Sequence, residues 1–112
     1  MIKQNETFGG TYPFKPHYVK VKGLRLHYVD EKPKRKSSGE TVVMLHGNPT
    51  WSYLYRNFVP PLLKAGYRCV VPDHMGYGKS QKSLDREEYR LKKKIEYFTE
   101  FMDRLDLNDI TL

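Results

Sequence analysis

The stretch Thr41-Val42-Val43-Met44-Leu45 carries no charged residue and no polar alternation, and it ends abruptly at His46-Gly47-Asn48-Pro49. A strand with one face in water alternates apolar with polar residues. One without alternation has both faces covered, as in parallel sheets whose crossover helices pack on either side. This run therefore calls for an α/β architecture with a helix soon after it. From Ser52 to Ala65, Leu54, Phe58, Leu62 and Leu63 are spaced to face inward, Pro60-Pro61 kinks or restarts the helix, and Gly66 stops it. "YRCVVPD" then reads as a second short buried strand, closed by Pro72.

The flanking segments fit the same plan. Tyr18 to Asp30 alternates, with Val19 and Val21, then Leu24, Leu26 and Tyr28, on one side of a Lys22-Gly23 turn, the pattern of a β-hairpin with one apolar face. Beyond the glycine-rich "DHMGYGKS", the residues Leu91, Ile95, Phe98, Met102 and Leu105 step by four, three, four and three, which predicts an amphipathic helix with these five along its buried stripe. Asp85, with Glu88 three residues on, is placed to cap an early turn. "ITL" then begins another strand. Hairpin, strand, helix, strand, helix, strand is the order of an α/β fold with a mostly parallel sheet, and 112 residues hold at most one domain.

Charge narrows the function classes. The chain is basic, at +7, but its cations gather in the loop-like "EKPKRKSSGE" and in Lys92-Lys93-Lys94 on the polar side of a helix. Neither cluster is interleaved with aromatic residues or set in a DNA-reading motif, so solvated faces are expected rather than nucleic-acid binding. No apolar stretch approaches the roughly 20 residues that span a bilayer. "MIKQNETFGG" lacks the basic-then-apolar form of a signal peptide, and a cytoplasmic protein is expected. Cys69 has no second cysteine to pair with and sits in an apolar run, which predicts a buried, inert thiol. His17, His27, His46 and His74 show no metal-ligand spacing, and no metal is expected.

Open α/β sheets bind ligands in the crevice at the carboxyl ends of their strands, where Gly47 and Asn48 stand. Gly47 lets the backbone approach a bound group closely. The Asn48 backbone N–H and carboxamide are donors suited to an anion, and Pro49 stiffens the loop. The same residues also serve a strand-to-helix turn in which Asn and Pro act through geometry alone, and on residues alone both readings stand. Trp51, Tyr53 and Tyr55 could line a pocket, although aromatics at helical spacing usually belong to the core. Asp73 ends a strand, and "GYGKS" is no phosphate loop, because the glycine required five places before Gly78 is Asp73.

"HGNPT" followed by "SYLYR", then "PDHMGYGKS" and "FTEFMDRLDLNDITL", resemble the N-terminal part of the haloalkane dehalogenase family of α/β-hydrolases, over roughly Tyr12 to Leu112. The resemblance implies the N-terminal portion of a single α/β-hydrolase domain, with cap domain and C-terminal half lying outside residues 1–112. It implies cofactor-free hydrolysis of carbon–halogen bonds in small haloalkanes through an alkyl-enzyme ester. Asn48 matches the position whose side chain holds the halide and whose backbone N–H helps form the oxyanion hole. Pro49 and Trp51 fall beside it as candidate substrate contacts, and His46, Gly47 and Asp73 match supporting positions. The family's nucleophile, acid and base correspond to positions after Leu112, so the 112 residues alone are expected to be inactive. A β-lactone decarboxylase branch carries similar "HGNPTW" runs. A split or non-catalytic module completed by a second chain is the alternative of another class.

Overall fold

The computed structural model describes residues 2–34, 37–48, 50–107 and 109–112. Strands β1 (His17–Val21) and β2 (Leu24–Glu31) form the expected antiparallel hairpin, with Val21 opposite Leu24. Lys22 and Gly23 connect them with φ of 50° and 80°, the turn hand that matches the twist of the flanking strands. Val19, Val21, Leu24, Leu26 and Tyr28 all join one apolar cluster, as the alternation predicts.

Strands β3 (Thr41–Val43), β4 (Arg68–Pro72) and β5 (Ile110–Thr111) complete a five-stranded sheet of order β1-β2-β4-β3-β5. β3 lies between β4 and β5 and runs parallel to both, while β4 pairs antiparallel with β2 on its other edge. This position accounts for the unbroken apolar run. Along β4 the side chains alternate between two cores, Cys69 and Val71 on one side of the sheet and Val70 on the other. Tyr12, Phe14 and Val59 cover the first side; Met75, Tyr97 and Phe101 cover the second. Burial pushes the Cys69 thiol up to about 11, so it stays protonated and unreactive at neutral pH.

The segment after β3 departs from the expected single helix. Ser52–Tyr55 is a 3₁₀ turn, and helix α1 covers only Val59–Lys64, with Pro60 in its first turn. Neither proline offers an N–H, and their rings would clash with the carbonyls of Arg56 and Asn57 in a continuous helix. The break also shifts the inward face. Leu54 and Phe58 are exposed, contrary to expectation; Val59 is buried in their place, and Leu62 and Leu63 pack beside it. Gly66 ends α1 as expected, its N–H donating to the Leu63 carbonyl and that of Tyr67 to Leu62.

Helix α2 spans Leu91–Leu105. Its buried residues are Tyr97 and Phe101, with Phe98, Met102 and Leu105 packed alongside. Leu91 and Ile95 are exposed, so the five-residue stripe holds only for its C-terminal part. Asp85 caps not α2 but a separate 3₁₀ turn, Arg86–Tyr89, by accepting from the Glu87 N–H at 3.0 Å. No helix among the described residues is long and apolar enough to cross a membrane.

Candidate active site

β3 leaves the ladder after Met44, whose N–H still donates to the Val70 carbonyl at 3.0 Å. The loop that follows lies beside the turn that leaves β4, so two parallel strands deliver their carboxyl ends to one place. His46 and His74 join the two. His46 Nε2 accepts from the His74 backbone N–H at 2.9 Å, which leaves the ring proton on Nδ1 to donate to the Gly47 carbonyl at 2.7 Å. His74 Nε2–H donates in turn to the His46 carbonyl at 3.2 Å. These bonds require a neutral His46, because a protonated Nε2 could not accept. Burial lowers the affinity of both rings for a proton, and His74, with His46 as the second cause, falls to about 4.

Asn48 stands exposed at the loop's outer bend. The Tyr77 hydroxyl donates to its Oδ1 at 2.9 Å. With the oxygen so engaged, the Nδ2 amide, which has no partner among the described residues, remains as a donor. Gly47 is also exposed; its φ lies outside the left-handed region, and an added Cβ would meet nothing within 4 Å. The glycine thus fronts open space. Pro49 lies outside the described residues.

Beneath the loop, Asp73 is fully buried. Its Oδ1 accepts from the Ser52 N–H at 2.7 Å, and its Oδ2 from the Lys79 N–H at 3.0 Å and from His27 Nδ1 at 2.8 Å. One carboxylate therefore ties the start of the 3₁₀ turn, the glycine-rich turn and β2 together. Gly78 allows this closeness: at φ of 53°, a Cβ would stand 2.5 Å from Asp73 Oδ2 and 2.6 Å from Trp51 Cε3. Lys79 is buried and reaches back to the N-terminal arm, donating to the carbonyls of Gln4 and Glu6 at 2.9 and 2.8 Å.

A hollow of about 320 Å³ opens beside Asn48. His46, Gly47 and Asn48 border it with Tyr77, and Leu45, Leu91, Ile95 and Phe98 give it apolar walls. This is why Leu91 and Ile95 lie outside the core. An amide donor without a partner among the described residues, beside apolar walls, is suited to holding an anion or a developing negative charge. Trp51 is not brought to it. Its ring stacks on Tyr53 at 5.6 Å and packs edge-on to Phe8, within the aromatic cluster around Tyr12.

Sequence reasoning did not find Tyr77, His74 or Lys94 as neighbours of the loop, and no local signal points to contacts that span 28 or 29 residues. His27 had a signal: it shares the strand face of Val29, so a polar residue at that position needs a buried partner.

Residues 40–112 match the model of the alpha/beta hydrolase fold family. The chain is 48% identical over 108 residues to haloalkane dehalogenase 1 of Mycobacterium bovis, covering 90% of this chain and 34% of that protein. It is 42% identical over 106 residues to a haloalkane dehalogenase of Psychrobacter cryohalolentis, with the same coverage of each. Among solved structures, the haloalkane dehalogenase DpaA of Paraglaciecola agarilytica superposes with a TM-score of 0.82 at 38% identity, over 91% of this chain and 35% of that one. The chain thus spans about a third of the length of the relatives it matches.

Proposed function

Since this chain belongs to the alpha/beta hydrolase fold family, we propose that it supplies the leaving-group and oxyanion loop of a haloalkane dehalogenase-type hydrolase. In this reading residues 1–112 are the N-terminal part of one domain. The carboxylate nucleophile, acid and base come from residues outside them, continuous with the chain or on a complementing one. Attack at the halogen-bearing carbon forms an alkyl ester as the carbon–halogen bond breaks and the halide departs with the electron pair. Water then hydrolyses the ester.

Asn48 acts in both steps. Its Nδ2 amide donates to the departing halide, and its backbone N–H to the oxyanion that forms when water adds to the ester. His46 holds the loop through the Gly47 carbonyl and the His74 N–H. Asp73 fixes the turn that carries Tyr77. The observation that carries the reading is the Tyr77–Asn48 hydrogen bond at the rim of an apolar hollow, because it leaves the amide to a ligand. The test is bromide release from 1-bromohexane by the intact protein. Asn48→Ala is expected to lower the rate by about a hundredfold. Undiminished release in that variant, or none from the parent, sinks the reading.

A further inference from the structure

His46 is buried, and its ring is wedged between neighbours, the centroid 4.3 Å from that of His74 and 5.6 Å from that of Tyr77. The His74 backbone N–H decides its tautomer. By donating to Nε2 it leaves the ring proton on Nδ1, and that proton goes to the Gly47 carbonyl at 2.7 Å. The same carbonyl accepts from the Thr50 N–H at 3.3 Å, so both of its lone pairs are taken. Of the two bonds, the one from Nδ1 is the shorter. It is also the one anchored outside the loop, on the turn that leaves β4, whereas the Thr50 bond lies within the loop and moves with it.

The Gly47 carbonyl and the Asn48 N–H are two ends of one peptide unit. In a planar trans peptide they point in opposite directions, so a carbonyl held on one side aims the N–H to the other. A peptide that follows glycine needs such a hold. With no Cβ on Gly47, and nothing within 4 Å of where one would stand, the unit turns over at little steric cost unless it is fastened.

We propose that His46 is a positioning residue for the oxyanion donor: the tautomer selected by the His74 backbone N–H holds the Gly47–Asn48 peptide in the orientation that presents the Asn48 N–H to the ester. This rests on the reading of Asn48 as the oxyanion donor and deepens it, by giving each of the residue's two donors its own support. The carboxamide, held through Tyr77, serves the departure of halide. The backbone N–H, held through His46, serves the attack of water on the ester. Loss of the Nδ1 bond therefore slows the second step and spares the first.

Two substitutions separate the ring's two bonds. Asparagine places an N–H₂ group where Nδ1 stands and loses the acceptor at Nε2; glutamine places its amide near Nε2 and loses the donor at Nδ1. In the intact protein, His46→Gln is expected to slow decay of the hexyl-enzyme ester formed from 1-bromohexane about tenfold, short of the roughly hundredfold that follows outright loss of an oxyanion donor. The bromide burst that accompanies ester formation keeps its rate within about twofold, and His46→Asn keeps both steps within about threefold. Quenched-flow mass spectrometry follows the ester. Unchanged decay or equal slowing of both steps in His46→Gln, or a His46→Asn variant as slow as it, overturns the proposal, since a tie that only steadied the loop would not tell the steps or the ring's two bonds apart. The residual dipolar coupling of the Asn48 N–H reads the bond's direction without turnover; it should change in His46→Gln and persist in His46→Asn. Couplings that behave so in a protein releasing no bromide keep the positioning and remove the dehalogenase reading. Bromide release with a coupling unmoved by His46→Gln does the reverse.

Discussion

At the scale of single residues, Asp73 shows how one buried carboxylate can organise three segments. Three donors converge on its two oxygens, and asparagine offers only one oxygen, turning an N–H₂ group against donors that need an acceptor. Asp73→Asn is expected to cost about 3 kcal/mol in urea denaturation. His74 gives a pH dependence of definite sign. Its folded value, about 4, lies below its ordinary 6.5, so below pH 6.5 the unfolded chain takes up a proton that the folded one refuses. The stabilisation is complete above pH 6.5 and is lost as the pH falls through about 4. His74→Gln should flatten that part of a stability-against-pH curve, and an unchanged slope would assign it to other groups. Asn48 and Gly47 were legible from the sequence because a strand-end loop is a local pattern. Tyr77 and Lys94 were not, since their meeting with the loop is made only by the packed sheet.

At the scale of elements, hydrophobic spacing located the helices better than it located their faces. The α2 stripe assumed that every apolar residue at helical spacing is covered by this chain. Leu91 and Ile95, however, sit where the helix passes over the hollow, and only from Tyr97 onward does it press on the sheet. Phe101→Ala should therefore destabilise by about 3–5 kcal/mol. A paired Leu91→Gln, Ile95→Gln change should stay within about 0.5 kcal/mol, since neither residue is in the core. Denaturation midpoints distinguish the two cases. For the segment 52–65, two adjacent prolines fixed the point of interruption. They left the new inward face unread, because the register of a helix that restarts is set by what it packs against.

At the scale of the whole molecule, α/β order and a parallel β3 follow from the alternation of apolar runs with turn residues, whereas the pairing of β3 with β5 is a matter of strand order that such alternation leaves open. β5 contributes only two residues beside β3, and Leu91, Ile95, Ile110 and Leu112 stand exposed. Such a surface favours self-association. The 112-residue polypeptide prepared by itself should bind a hydrophobic dye and elute as mixed oligomers. A monomer with one sharp thermal transition and dispersed NMR signals would refute this.

The clasp of Lys79 on Gln4 and Glu6 joins positions 75 and 73 residues apart. A non-covalent link of that span turns most of the chain into a ring, and it cannot close before β4 and the turn after it are in place. The first residues of the polypeptide are thus among the last to find their seat. Their protection from hydrogen exchange becomes a gauge of whether the far side of the sheet has finished assembling.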